Sequence, residues 1–250
     1  MTQLIRKLPF AVLCIAFTFY GSFAQSEKEL IYNWFDQQTG QESSVLYNGV
    51  QYINEYVIFD GKHQFFDTDS FVEGEVTYDG HLFSGVNLKY DVFNDDLILA
   101  PFGSSGSFPF KLIRSKVQRF SFGQNNFVNV NQLITSPRNR NIGFCKLLQE
   151  GDSLHIYQKI SKNLRERNKQ GRVYYEFLQK ESFYLFYAGK VYPVDGKGNW
   201  IAIFPGQKEL IKTFYQDNRK QLNTEPELFY IRLSKQIDNL LKEPSLANES

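Results

Sequence analysis

The chain contains little sulfur and carries almost no net charge. Its 250 residues include two Cys and one Met, and the formal net charge is +1. Cys14 lies in an amino-terminal segment that we expect to be removed, so only Cys145 would remain and no disulfide could form within the mature chain. A nearly neutral chain has no general attraction to nucleic acid, and the scarcity of Met argues against an adaptable Met-lined groove. We therefore expect neither a disulfide scaffold nor a nucleic-acid-binding protein.

The amino-terminal apolar run is short. Residues 8–20 are fewer than the roughly 20 residues that a membrane-spanning helix needs. Arg6 and Lys7 precede the run and small residues follow it up to Ala24, an order typical of a secretory signal peptide. The sequence thus predicts a signal peptide over residues 1–24, cleaved after Ala24, and an exported chain in the periplasm or associated with the envelope. It predicts no transmembrane span in the mature chain, with an uncleaved anchor as the alternative, and a mature net charge of about −1.

Catalytic signatures are missing as well. His63, His81 and His155 show no metal-ligand spacing such as His-Glu-x-x-His. The Gly/Ser stretch 103–107 lacks the spacing of a nucleophile elbow, and no glycine-rich loop leads into a phosphate-binding Lys-Ser/Thr pair. These absences predict no cofactor and favour a role without catalysis.

Aromatic residues, in contrast, are abundant, with 24 Phe and 15 Tyr. Such side chains favour half-buried strands and pair across them. Several of them stand next to dipeptides that suit tight turns, namely Asn48-Gly49, Asp60-Gly61, Asp79-Gly80 and Ala188-Gly189. Asn-Gly and Asp-Gly accept the positive φ that a type I′ turn requires, so these sites predict the tips of β-hairpins.

Short strand-like runs follow one another without intervening helices through most of the chain. This pattern predicts a mainly β fold, an antiparallel meander forming a barrel-like or sandwich assembly, with two or three C-terminal α-helices. The predicted divisions after the signal peptide are an antiparallel β domain over 25–136, further β-hairpins over 137–198, helices over 199–243 and a disordered tail over 244–250. Ser136 begins a polar break that is the best candidate for a boundary between β subdomains.

Local signals place the ends of several elements. Asn199 is expected to cap the first C-terminal helix, and Thr224 begins a capping-box pattern with Glu227 for the last one. Lys180-Glu181 is expected to be a turn between two strands. Cys145 lies in a strand-like apolar run and is expected to be a buried, unreactive residue.

A basic stretch lies between two predicted strands, over residues 161–172. Its candidate ligand-binding residues are Lys162, Arg165, Arg167, Lys169 and Arg172, against the single acid Glu166. We expect a loop here that binds an anionic surface such as lipid headgroups or acidic glycan. The alternative is a solvated loop without a ligand, because a run of charge between strands usually has no other role.

An acidic stretch offers a second candidate site. Its residues are Asp91, Asn94, Asp95 and Asp96. Closely spaced oxygen ligands could hold a calcium ion, although the central Gly and terminal Glu of an EF-hand loop are absent. A polar turn between two strands explains the same residues equally well.

Two segments carry a resemblance to a known group of proteins. One reads GEVTYDGHLF over residues 74–83 and continues into VNLKYD; the other reads FYLFYAGKVYP over residues 183–193 and leads into the Lys-rich helix that ends at Lys220. Both resemble uncharacterised exported β-rich proteins of Gram-negative bacteria. The resemblance implies a β architecture and a periplasmic location, and it brings no activity or catalytic residues.

Three functional hypotheses follow from these patterns. The first is a non-enzymatic binding or structural module of the envelope, whose partner is an envelope protein, a glycan or a lipid. The second is a carrier that encloses an apolar ligand in a barrel interior. The third is a hydrolase that uses carboxylates such as Asp91, Asp95 and Asp96.

Overall fold

One antiparallel sheet of eleven strands forms the framework of the computed structural model, which describes residues 46, 49–101, 108–134 and 141–242. All residues discussed below belong to the unit Gly49–Ser250. The strands are β1 (Val50–Gln51), β2 (Val72–Tyr78), β3 (His81–Asp91), β4 (Asp96–Ala100), β5 (Phe110–Lys111), β6 (Val117–Phe122), β7 (Asn125–Asn129), β8 (Phe144–Glu150), β9 (Leu154–Lys169), β10 (Arg172–Tyr187) and β11 (Lys190–Pro193). The predicted antiparallel β fold is confirmed; because the sheet is not closed, it is a sandwich or an open barrel. The predicted signal peptide, its cleavage after Ala24 and the predicted tail lie outside the described residues.

The strand order shows two meanders joined through β2. Strands β2 to β5 follow one another in the sheet, but β6 pairs with β2 instead of β5. From β6 to β11 each strand again pairs with the next one in sequence. The sheet therefore continues from β7 to β8 across the chain position at which the sequence predicts a subdomain boundary.

Two of the predicted hairpin tips are confirmed. Asp79 and Gly80 have φ values of 52° and 83°, and they connect the paired residues Tyr78 and His81. The second tip, Ala188-Gly189, connects β10 to β11 in the same way, with φ values of 49° and 72°. Positive φ at both central positions is the requirement of a type I′ turn, and both dipeptides meet it. The predicted tip at Asn48 lies outside the described residues.

Strands β9 and β10 form one long hairpin, and here two predictions are wrong. The two strands stay in register without a bulge from the pair Leu154 and Tyr187 to the pair Lys169 and Arg172. Residues 161–172 are therefore strand and turn instead of a loop, and Lys180-Glu181 lies within β10 instead of at a turn. The missed tip is Gln170-Gly171, whose φ values are 52° and 76°.

The sheet has a core face and an outer face. On the core face Tyr90 packs edge-on against Phe120, Phe127 and Phe144, with ring centres 5.2, 5.2 and 5.9 Å away. On the outer face a smaller cluster surrounds Cys145, which is fully buried as predicted. Alternation along each strand produces the two faces, because successive side chains point to opposite sides of a sheet.

Four C-terminal α-helices follow the sheet in the described part of the chain, where two or three are predicted. They are α1 (Lys197–Ile203), α2 (Lys208–Asp217), α3 (Arg219–Thr224) and α4 (Pro226–Lys242). Trp200, Leu233 and Ile237 from these helices are fully buried against Ile156 and Leu185 on the core face of the β9–β10 hairpin. None of the described helices is both long enough and apolar enough to cross a membrane.

Both predicted helix caps are wrong. Asn199 lies inside α1, because the helix already begins after Gly196, whose carbonyl accepts a hydrogen bond from Asn199 N. Thr224 is the last residue of α3 and α4 begins at Pro226, so the residue immediately before α4 is Glu225 and not Thr224. The Thr224 hydroxyl donates to Lys220 O at 3.2 Å, within α3. The first main-chain bond of α4 instead runs from Phe229 N to Glu225 O.

An irregular segment, residues 52–66, runs against the outer half of the hairpin; we call it the strap. Its main chain forms hydrogen bonds with both the N–H and the C=O group of Tyr175 in β10. Tyr175 N donates to Val57 O, and Phe59 N donates to Tyr175 O. At its other end Phe66 N donates to Tyr90 O at 2.9 Å. The strap thus ties the outer half of the hairpin to the centre of the sheet.

Candidate functional site

Four of the five predicted basic residues lie on one face of the outer part of the β9–β10 hairpin, residues 161–180, which we call the arm. Residues directly opposite each other in an antiparallel pair share a face. The pairs Arg165 with Glu176, Arg167 with Tyr174, and Lys169 with Arg172 therefore lie on the same face. Lys180, opposite Ser161, adds a fifth cation to it. We call this surface the basic face.

Lys162 points to the opposite face of the arm, so it does not join the other four. Its ammonium donates to the carbonyl oxygens of His63 and Phe65 in the strap, at 2.7 and 2.6 Å. Burial lowers the pKa of Lys162, because removal from water disfavours the charged form. The side chain holds the strap to the arm, which leaves it little freedom to contact a ligand.

Glu176 is the single acid among the side chains that β9 and β10 place on the basic face. It is 2% exposed and accepts hydrogen bonds from the ammonium of Lys62 and, at 2.9 Å, from Arg167 Nε. These bonds, Lys62 foremost, lower the pKa of Glu176, so the carboxylate stays ionised and is already paired. It cannot neutralise the cations that remain.

Arg165, Arg172 and Lys180 are exposed and form no ion pair within the described residues. Lys169 lies over the ring of Phe59, with its ammonium 5.7 Å from the ring centre. The basic face therefore carries five cations against one paired carboxylate, with three cations entirely available to a partner.

An alternative explanation for these charges is that they keep an exposed edge of the sheet from pairing with another chain. Strand β8 pairs with β9 only as far as Gln158, so the arm portion of β9 has no second partner strand among the described residues. Charged side chains, Lys above all, discourage such an edge from pairing with another chain. Edge protection does not require the cations to lie on one face, however, and it leaves the segregation seen here unexplained.

The acidic residues form the polar turn between β3 and β4. Asp91 Oδ1 accepts from the main-chain N–H groups of Phe93 and Asn94, each at 3.0 Å, and Asn94 Nδ2 donates to Asp91 Oδ2 at 2.9 Å. Burial raises the pKa of Asp91 in spite of these bonds. The calcium hypothesis gains no support from this arrangement, because the described residues contain no group of three or more His, Cys, Asp or Glu placed to hold a metal.

The neighbouring carboxylates have separate partners. Asp95 Oδ1 accepts from the Tyr90 hydroxyl and from Lys159 Nζ, both at 2.6 Å. Asp96 forms ion pairs with Arg114 at 2.8 Å and with Lys111 at 3.1 Å. Asp91 is thus engaged within the turn, and Asp95 and Asp96 are engaged with cations from other elements, so each of the three carboxylates already has partners.

The sequence carries a signal for part of the basic face. Arg165, Arg167 and Lys169 stand at every second position, the spacing that places side chains on one face of a strand. The contributions of Lys180 and Lys62 could not be found in this way, because they depend on the pairing of β9 with β10 and on the course of the strap.

The fold and the candidate site together define a mainly antiparallel β protein with a cationic hairpin arm. No protein-family model, no curated protein and no solved structure matches the chain.

Proposed function

We propose that the protein is a non-enzymatic binding module of the bacterial envelope, and that the basic face of the arm binds the surface of an anionic phospholipid membrane. The observation that carries this proposal is the register of β9 and β10, which collects five cations on one face and leaves three of them without an acidic partner. The predicted signal peptide and the resemblance to exported proteins support an envelope location, where such lipids occur.

The available cations suit phosphate-bearing headgroups. The Arg guanidinium presents a planar fork of N–H donors that matches the oxygens of a phosphate, and it remains charged at any physiological pH. Arg165 and Arg172 have no ion pair to break within the described residues, so binding costs them no existing partner. A Lys or Arg near an anionic membrane contributes about 1 kcal/mol. The two Arg together then account for about 2 kcal/mol, or about a 30-fold change in partitioning.

The test is cosedimentation of the purified mature chain with vesicles. One set contains phosphatidylglycerol as the anionic lipid, and the other contains only neutral phosphatidylcholine. The variant is Arg165→Gln with Arg172→Gln, and the matched control is Lys208→Gln with Lys220→Gln, which removes two exposed charges from the helices. We expect the wild type to prefer the anionic vesicles, the arm variant to lose about 30-fold in partitioning, and the control to change by less than about 3-fold.

Salt provides an independent readout. The Debye length falls from about 30 Å at 0.01 M ionic strength to about 3 Å at 1 M, so binding by the basic face should weaken strongly over this range. Equal partitioning to the two kinds of vesicle at low salt would refute the proposal. So would an equal loss in the arm variant and in the control.

The carrier and hydrolase hypotheses have less support in the structure than membrane binding has. An apolar ligand would need space on the core face, but the centre of that face is occupied by aromatic rings, with Phe120 and Phe127 stacked 4.8 Å apart. The carboxylates considered for hydrolysis are engaged with cations or main-chain donors. Neither hypothesis has an observation in its favour comparable to the basic face.

A further inference from the structure

A groove of about 460 Å³ opens on the outer face of the sheet, and none of its lining residues belongs to the arm. It reaches from β2 and β6, which contribute Glu75 and Arg119, to β9 and β10, which contribute Tyr157 and Phe186. Strand β7 passes beneath it and presents Val128. Its volume lies within the range of about 300–1,000 Å³ typical of small-molecule sites.

One side of the groove is a row of rings. His155 and Phe186 face each other across β9 and β10, with ring centres 5.6 Å apart. Tyr157 follows on the same face of β9, with its ring centre 6.5 Å from that of His155. His155 and Tyr157 combine an apolar ring face with a polar edge, and Phe186 adds a purely apolar face, which suits a partner that is partly apolar and partly hydrated.

The other lining groups are polar and carry both signs of charge. Glu150 lies opposite His155 in the register of β8 and β9. Glu75 accepts a hydrogen bond from the Ser84 hydroxyl through Oε1, at 2.9 Å, and its second oxygen accepts none from the described residues. Arg119 supplies guanidinium donors and is exposed. Burial, followed by the charge of Glu150, raises the pKa of Tyr157 to about 12, so its hydroxyl stays neutral and can donate as well as accept.

This lining excludes two classes of ligand on physical grounds. An acyl chain would cover Glu75, Glu150 and Arg119 without hydrogen-bonding them, and burying charged groups unpaired is costly. A polyanion would meet two carboxylates and a single guanidinium, which is an unfavourable balance of charge.

A neutral sugar matches both parts of the lining. Its hydroxyl groups can donate to the carboxylates and accept from a guanidinium, while its C–H faces can lie on aromatic rings. We propose that the groove binds a short neutral oligosaccharide, with Phe186 and Tyr157 as the stacking surface and with Glu75, Glu150 and Arg119 as the hydrogen-bonding groups. This site is separate from the basic face and does not depend on the proposed membrane binding.

The test uses three neutral trisaccharides, maltotriose, cellotriose and N,N′,N″-triacetylchitotriose, with the full mature chain and with saturation-transfer NMR and calorimetry as readouts. We expect at least one of them to bind with a Kd of about 0.1–1 mM. Phe186→Leu keeps an apolar side chain but removes the flat ring, and Glu150→Gln removes one carboxylate; each should weaken binding at least about 10-fold. Glu166→Gln, an exposed residue of the arm outside the groove, is the matched control and should leave the affinity unchanged.

The outcomes separate this site from the basic face. The variant Arg165→Gln with Arg172→Gln should bind the trisaccharide as the wild type does, whatever its behaviour with vesicles. Near-ultraviolet circular dichroism establishes that each variant keeps its native packing. The proposal is overturned if none of the three sugars binds at about 10 mM, or if the groove variants and the control bind equally.

Discussion

Asp238 fastens the last helix to the sheet, and its replacement by Asn should measure that connection. The carboxylate lies on α4 and reaches the turn between β8 and β9. Its Oδ1 accepts from Ser153 N at 2.9 Å, and its Oδ2 accepts from Asp152 N at 3.1 Å. Lys242, one turn further along α4, places its ammonium 3.3 Å from the same carboxylate. The side chain is only 6% exposed, so water cannot readily replace these bonds.

The expected cost follows from the number of acceptors. Asn has one side-chain oxygen, so Asp238→Asn can keep one of the two main-chain bonds and turns an amide N–H₂ toward the other donor. A hydrogen bond to a charged group contributes about 1.5–3 kcal/mol, so we expect a loss of about 2 kcal/mol of unfolding free energy. For a domain of this size that corresponds to a decrease in Tm of about 4–8 °C.

The pH dependence gives a second, independent signature. Burial alone would raise the pKa of Asp238, but the bonds from Ser153 N and Asp152 N and the charge of Lys242 outweigh it and lower the pKa. A carboxyl group whose pKa is lower in the folded state stabilises the fold above its unfolded pKa of about 3.9, and this stability is lost as the pH falls through the folded value. The difference between wild type and Asp238→Asn should therefore be largest near pH 7 and shrink progressively below about pH 4.

Urea unfolding followed by circular dichroism at pH 7 and at about pH 3 measures both effects. Asp217→Asn, at an exposed position in α2, is the matched control and should lose no stability. The reasoning fails if Asp238→Asn is as stable as the wild type at pH 7. It also fails if its deficit is the same at both pH values.

Two further predictions concern buried positions, one immediately before β8 and one within it. Gly143 has a φ of 78°, and a Cβ there would lie 1.7 Å from Asp95 Oδ2, so Gly143→Ala should lower the unfolding free energy by about 3 kcal/mol or more. An unchanged midpoint of urea unfolding would contradict this. Cys145 is fully buried, and burial raises the pKa of its thiol to about 12, so iodoacetamide at pH 8 should alkylate it only after unfolding. Mass spectrometry measures the rate of labelling. If the native chain is labelled as fast as the unfolded chain, Cys145 is not buried.

Local turn chemistry explains why parts of the fold were predictable. Asp79-Gly80 and Ala188-Gly189 adopt the left-handed conformation that their residue types suggest, because a two-residue turn imposes its own φ values wherever it occurs. The spacing of apolar residues along the chain likewise distinguishes the strand segments from the C-terminal helices. The predicted cap at Thr224 was wrong because α3 extends through Thr224, where its hydroxyl donates to Lys220 O one turn back, and leaves Glu225 as the residue before α4.

The arm was not predictable from the same signals. Alternation of apolar and polar residues identifies a strand only where one face is buried, and over residues 163–166 both faces of β9 are exposed. Its strand conformation depends instead on pairing with β10 and, through Tyr175 and Phe177, on main-chain bonds from β10 to the strap. The groove was equally hidden, because its lining comes from residues as distant in sequence as Glu75 and Phe186.

The uninterrupted register of β9 and β10 also limits how the length of the hairpin can change. Inserting one residue into β9 between Ile160 and Arg165 would rotate the cations beyond it to the other side, since side-chain direction alternates with every position. Inserting two residues, with two in β10 to match, would keep the cations on their side and move them about 7 Å farther from His155. At about 3.3 Å per residue, ten residues now separate His155 from Arg165 by about 33 Å. The hairpin can therefore change in length without changing the face that carries the cations only in steps of two residues per strand. Its total length sets how far those cations lie from His155.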